Sequence, residues 1–489
     1  MLLLAACGGG GGGGGSQIAG IERLGVSVGT VSGFGSIVVN GEHIGTNNAD
    51  FLIDDSPGSQ SDLEVGDVVI VSFDPDAASL SAKTVYANEA VEGPIDSIDP
   101  LASRIVVAGQ TVNIDADTSF DDTIPTASLA GLNVGDRIEV SGLFVDSAGG
   151  TIEATRIEPQ NPQAANLVEV HGAVSNLNTV AKTFMIGALL VDYGAVPAVI
   201  DNAFPGGVFA DGDFVEVKGD SFGGGGELLA TKIEPDAPGV GADDRINTGK
   251  VDEIEIEGFI TRFVDAGDFD VADQPVTTNA QTSFVFEDGT AASAADLALN
   301  VKVEAEGSVD GAGVLVASKV EVRRASAVRL TGQVDSVDAA NNLVTVFGVS
   351  VRVDTSTRVE DKSNLKVEPF SLADVSAGDY LEIRGVDDGA NPGGVLATRL
   401  EREDLPTPPN SEAELQGFVD AGSIANPSFS ILGVTVMTDN STVFRMADGT
   451  PFADANAFFA QLQAGDLVKA DGDENPNDTI QAVEVEMEN

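Results

Sequence analysis

A few short phrases return along the chain in a fixed order, and this repetition constrains the fold more than any other feature. One phrase is a pair of alternating strands across a tight turn, Ile37-Val38-Val39-Asn40-Gly41-Glu42-His43-Ile44, and it returns at 105–112, 344–351 and 429–436. Apolar residues alternate on each side of the glycine, the period of a half-buried strand pair, and Asn40-Gly41 is a type I′ hairpin signal. A polar turn follows, as in Asp115-Ala116-Asp117-Thr118, Asp354-Thr355-Ser356-Thr357 and Asp439-Asn440-Ser441-Thr442. Then comes a Gly-Asp phrase entering a strand: Gly66-Asp67, Gly135-Asp136, Gly212-Asp213, Gly378-Asp379 and Gly465-Asp466; the fourth copy has Asn300-Val301 instead. A strand around a small residue closes the unit, as in Glu153-Ala154-Thr155-Arg156-Ile157-Glu158 and Leu396-Ala397-Thr398-Arg399-Leu400-Glu401.

The closing alanines recur at roughly 70–90 residues, too far apart for a solenoid coil of one or two elements and suited to a small independent domain. A Gly-x-Val/Ile phrase opens most units, for example Gly29-Thr30-Val31, Gly93-Pro94-Ile95 and Gly332-Gln333-Val334. The expected organisation is a tether over 1–18 and six modules over 19–92, 93–165, 166–246, 247–325, 326–409 and 410–489. Pro-containing linkers, such as Leu405-Pro406-Thr407-Pro408-Pro409, stand before several modules. Each module reads as five or six short strands with a brief helical interlude before the Gly-Asp strand, clearest at Ala455 to Leu462. The expected fold class is therefore all-β: six tandem small OB-like β-barrels, with a small sandwich as the alternative. Long segments of helical period between strands are missing, which argues against an α/β fold.

The run from Gly29 to Gly41, the phrase Leu132-Asn133-Val134-Gly135-Asp136 and the Ala-Thr-Arg-Ile-Glu strand resemble the bacterial domain of unknown function 5666. The resemblance covers nearly everything after the N-terminal glycines. It implies a multi-copy lipoprotein or secreted protein and supplies no catalytic residues.

The start of the chain points the same way. Leu4-Ala5-Ala6-Cys7 resembles the lipobox of bacterial lipoproteins, and glycines follow from Gly8 to Gly15. The resemblance implies lipidation of Cys7, with the glycines as a flexible spacer. Only a few apolar residues precede Cys7, against about 7–15 in a full signal, so part of the signal is expected to be missing from this start. The expected location is the bacterial cell envelope, at the outer membrane, periplasmic or surface-exposed.

Charge narrows the partners. Lys and Arg total 25 against 78 Asp and Glu, a formal net charge of −53, which repels phosphate backbones and argues against nucleic acid. The acids are dispersed, as expected of solvated faces on folded modules. Cys7 is the single cysteine, so no intramolecular disulfide or thiolate cluster can form, and only His43 and His171 could offer imidazole.

Three features are candidate sites. The Gly-Asp phrase is read as structural, with glycine supplying a positive-φ turn and Asp capping backbone amides. Asp471, Asp473 and Asn475, with Asp387 and Asp388 in the preceding module, are the candidate calcium ligands, although Pro476 stands where an EF-hand loop needs glycine. His43 aligns with outward polar strand positions and is expected to be exposed. No residue cluster suggests catalysis and no cofactor is expected beyond calcium. The sequence thus reads as a non-enzymatic envelope lipoprotein, a multivalent binding or spacer array for a protein or polysaccharide ligand. A calcium-stabilised surface array and a hydrolase of envelope polymers are the alternatives.

Overall fold

A computed structural model describes residues 25–488 apart from 55, 75–78, 161–165, 197, 202–203, 205–206, 237–252, 409–410 and 476. The fold is all-β, and the six repeats are built alike. Module 5 gives the plan. Its first strand, Val328–Asp338, pairs antiparallel with Leu343–Val346, which returns through the hairpin into Val349–Arg352. That third strand runs parallel to the closing strand Val395–Glu403, which pairs antiparallel with the Gly-Asp strand Tyr380–Asp387. Tyr380–Asp387 in turn pairs with the first strand, completing a circuit. The expected helical interlude is present as a turn at Leu372–Asp374 in module 5 and as the helix Ala455–Gln461 in module 6.

The sequence phrases meet one another in space. In module 5 the N–H of Gly378 donates to the carbonyl of Val334, and the N–H of Val334 donates to that of Asp379. The opening Gly-x-Val phrase is therefore the backbone partner of the Gly-Asp phrase. Gly378 has φ of 90°, and the Asp379 carboxylate accepts the Ser376 N–H at 2.9 Å, closing the turn that precedes the strand. Asp67, Asp136, Asp213 and Asp466 do the same at 2.7–2.8 Å. In module 4 Asn300 keeps the positive φ, at 65°, and the same backbone bond, to Ile260. The structural reading of Gly-Asp holds. The polar turn is equally local: the Thr118, Thr282, Thr357 and Thr442 hydroxyls donate to the carbonyls of Ala154, Ala317, Ala397 and Ala482 in the closing strands.

One correction concerns the expectation of six separate barrels. The strands join into three sheets, each shared by two modules. The seam is the same element every time, the N-terminal half of the first strand. Val91–Asp99 of module 2 pairs antiparallel with Val168–Ala173 of module 3, and Val328–Asp338 of module 5 with Ala413–Phe418 of module 6. Module 1 skips its neighbours: Gly25–Gly33 runs parallel to Glu253–Asp265 of module 4. The apolar interiors merge accordingly, so that one buried cluster runs through modules 5 and 6 and another through modules 2 and 3. The pairs then dock on each other, with modules 1, 2, 4 and 5 at the centre. Arg156 of module 2 donates to the Val65 carbonyl of module 1 at 3.2 Å, and Arg399 of module 5 to the Thr118 carbonyl of module 2 at 2.8 Å.

A second correction follows. Many of the dispersed acids are not on solvated faces. Glu92, Glu169, Glu216, Glu255, Glu304 and Glu401 are all buried.

Candidate site at the four-module junction

Where modules 1, 2, 4 and 5 converge they leave a cavity of about 400 Å³, within the range of small-ligand sites. Module 2 supplies one wall with the end of its hairpin and its closing strand, which bring Asp115, Glu153 and Thr155 to the space. Asn113 and Glu153 are register partners in the parallel pair Gln110–Asn113 and Thr151–Pro159. Module 4 supplies Glu257, Lys302, Arg323 and Arg324, module 5 supplies Asp354, Arg358 and Thr398, and Thr30, Ser32 and Asn40 come from module 1. Leu143, Phe259, Val301 and Leu396 make the lining partly apolar.

Most of these charges are already matched. Lys302 lies 2.8 Å from Glu257, which also accepts the Thr30 N–H at 3.0 Å. Burial would raise the Glu257 pKa, but Lys302 and Arg323 outweigh it and hold the carboxyl at about 2. Arg324 reaches Glu287 at 2.8 Å and Asp288 at 2.7 Å. Arg358 donates to the Thr155 carbonyl at 3.0 Å and to the Asp117 carbonyl. The Asp117 carboxylate accepts from Ser326 at 2.8 Å and Thr398 at 2.6 Å. Against burial, Arg358 and these hydroxyls keep its pKa below the ordinary value.

Asp115 and Glu153 differ. Among the described residues neither has an ion-pair partner within salt-bridge distance. Burial, then the charge of Asp115, pushes Glu153 up to about 7. Burial, then Asp117, raises Asp115, whose side chain is nonetheless reachable from the cavity it faces. Thr155 is 5% exposed and its hydroxyl has no protein partner.

The residues singled out from sequence lie elsewhere. Cys7 is outside the described residues. Asp471, Asp473 and Asn475 belong to the strand Leu467–Asn475, where alternate residues stand about 6.6 Å apart and cannot converge on one ion as loop ligands do. Asp471 is 3.3 Å from Lys469. Asp387 ends its strand, while Asp388 is buried and bound by Arg352 at 3.0 and 3.1 Å. The structure does not bring these five together. The acids that do approach are Asp335, Glu474 and Asp478, within 4.8 Å of one another and not buried. His43 is exposed, as expected. His171 is buried between Asp236 at 2.7 Å and Glu169 at 3.2 Å. Burial alone would lower its pKa, but these hydrogen bonds raise it well above the ordinary value. Glu169, His171 and Glu216 have metal-like proximity, yet the Lys218 ammonium sits 2.9 Å from both glutamates and supplies the positive charge there.

Sequence reasoning passed over the cavity wall. A signal was available: Glu153 occupies a repeat position held elsewhere by Ser81, Leu229, Val316, Leu396 and Gln481. A carboxylate alone among neutral side chains at one repeat position marks a module with a special neighbour. The bulge glycines were missed too. Gly142, Gly219, Gly307, Gly385 and Gly472 each sit at a register shift, where an added Cβ would come within 2.1–2.7 Å of a carbonyl oxygen in the closing strand.

Comparison with curated proteins finds no match. The sequence profile of the family described as domain of unknown function (DUF5666) matches six times, at residues 27–85, 92–158, 166–234, 257–321, 331–401 and 416–486. Those matches span most of the chain and coincide with the six structural repeats, and the chain belongs to the DUF5666 family.

Proposed function

We propose that this chain is a non-enzymatic envelope lipoprotein, held at the outer membrane through Cys7, that acts as a binding or spacer body built from six OB-like modules. What supports the OB-like reading is the strand circuit in which the third strand and the closing strand run parallel and the first strand is shared by both halves. The observation that carries the binding role is a polar cavity assembled from four different modules. It makes this body a holder of one shared ligand rather than a row of six equal sites. The ligand is a protein or polysaccharide group of the envelope.

The state of the carboxylates favours binding over hydrolysis. Glu153 resembles a general acid in its raised pKa, but a hydrolase also needs a free carboxylate as base or nucleophile. Asp115, the unpaired acid beside it, is itself raised by burial and then by Asp117, the wrong direction for a base or nucleophile. Asp117 is engaged by the hydroxyls of Ser326 and Thr398.

The test is equilibrium binding of the full chain to a panel of envelope glycans and peptides, with product analysis on the same samples. One saturable site per chain and no cleavage is expected. Six equivalent sites would contradict the shared cavity, and new reducing ends or peptide fragments would contradict the non-enzymatic role.

A further inference from the structure

The cavity has a charge imbalance that points to the chemistry of its occupant, and this inference rests on the shared-site reading above. Every basic side chain in the lining has a nearby acceptor: Lys302 has Glu257, Arg324 has Glu287 and Asp288, Arg323 has Glu304 and Glu321, and Arg358 has two backbone carbonyls. What faces the space without a cationic partner is acidic, and it comes from one wall, Asp115 and Glu153 of module 2. Asp115 is open to the space and Glu153 half-buried. Lys302 and Arg358 temper their charge, but among the described residues no cation bonds either. A carboxylate withdrawn from water without a bonded counter-charge is costly unless neutralised. The buried Thr155 hydroxyl on the same wall is also unengaged.

We propose that the junction cavity binds a small organic cation, a ligand carrying a primary ammonium, with Asp115 and Glu153 as its counter-charges and Thr155 as a hydrogen-bonding neighbour. The volume, about 400 Å³, is far larger than a bare metal ion needs. The apolar faces of Leu143, Phe259, Val301 and Leu396 suit the carbon skeleton of an amine. Neither carboxylate belongs to a set of three or more ligand atoms close enough to share an ion among the described residues. A polyamine and an amine-bearing side chain of a partner share this chemistry, and both would place the ammonium at the module 2 wall.

The experiment is calorimetric titration of the full chain with spermidine, N-acetyl-lysine amide and calcium, at an ionic strength near 0.15 M, where diffuse attraction to the acidic surface is screened beyond about 8 Å. Glucose serves as the uncharged comparator. One amine per chain is expected, with affinity at least ten-fold weaker in Glu153→Gln and in Asp115→Asn and unchanged in the exposed-surface variant Asp50→Asn. Both substitutions keep side-chain shape and remove a like-charge contact, and thermal melts confirm that the variants fold. Should either variant fail to fold, the wild-type chain still decides the matter. Binding should release protons from the partly protonated Glu153 at pH 7, read as a difference in heat between phosphate and Tris buffers. Many weak equivalent sites, equal binding by the variants, no proton release, or a glucose signal of the same strength would overturn the proposal. Calcium binding that displaces spermidine and depends on the same two residues would make this a divalent-ion site instead. Scattering from the same samples reads the closed body independently, so a compact chain that ignores amines sinks this inference alone.

Discussion

Ile383 and Arg384 are neighbours on one strand of module 5, and they face two different interiors. Ile383 is fully buried among valines, leucines and phenylalanines of modules 5 and 6. Arg384 is 6% exposed and lies in a layer of charge with Glu382, Arg399 and Glu401. The first interior is the inside of a module and follows the alternation that any half-buried strand shows. The second is the space between modules, closed by ion pairs and by arginines donating to carbonyls of the next module. Apolar packing tolerates many arrangements of similar volume. Buried charge does not, because an unmatched partner is strongly unfavourable. The modules and their pairs are thus stabilised by non-directional burial and shared strands, and the docking of one pair on another rests on directional pairs.

The comparison breaks first inside a module. Gly385→Val puts a Cβ 2.3 Å from the Leu396 carbonyl oxygen, a position that only glycine allows in that strand pair. A loss of about 4 kcal/mol or more is expected in urea unfolding, at the upper end for a single substitution. A loss under about 1 kcal/mol would mean that the strand pair does not approach so closely.

Between modules the expected effect is somewhat smaller and differs in kind. Arg399→Ala removes the bond to Thr118 of module 2 and the pairing to Glu382 and Glu401. Breaking a buried pair costs about 3 kcal/mol, and the melt should separate into more than one transition as the module 5–6 pair comes loose. If these charges were solvated, as their dispersal in the sequence implied, the change would stay within about 0.5 kcal/mol.

The smallest effect is a pH dependence at the seam of modules 2 and 3. Glu92 faces Glu139 and Glu169 across adjoining strands and bonds Gln160. Burial, opposed by the Gln160 bond and aided by the neighbouring carboxylates, raises it to about 8. A raised acid pKa means that the folded state holds the proton more tightly than the unfolded chain. The contribution is therefore full below the ordinary glutamate value near 4.5 and is lost as pH rises towards 8. Glu92→Gln should accordingly raise the melting temperature at pH 8 by about 2 °C and leave it nearly unchanged at pH 4. A variant equally affected at both values would show that Glu92 is not protonated in the seam.

The contrast also explains what the sequence could tell. Within a module the information is local. Asn40-Gly41, with φ of 51° and 78°, is the hairpin that the dipeptide announces, and Asp115 to Thr118 is a turn because Thr118 bonds both Asp115 and the closing strand. Phrases such as Gly-Asp recur since each must make the same backbone bond to the opening strand. Nothing of this kind marks the seams. Val26 and Val28 look like any inward strand residues, yet their strand pairs with Ile254 and Ile256, more than two hundred residues away. Any first strand offers the same free edge, and the residues that face the neighbouring module, such as Glu92, Glu255 and Arg399, read in one dimension as ordinary surface residues. Arg399 and Arg156 even stand at the same place in the closing phrase, and both donate to a carbonyl of another module.

The most direct test of the closed six-module body is small-angle X-ray scattering from the full chain at low concentration. A compact body of 489 residues should give a radius of gyration of about 23 Å and a single-peaked distance distribution. A value above roughly 40 Å with a long tail, as expected for six small domains strung in a row, would contradict the shared sheets and the junction cavity with them.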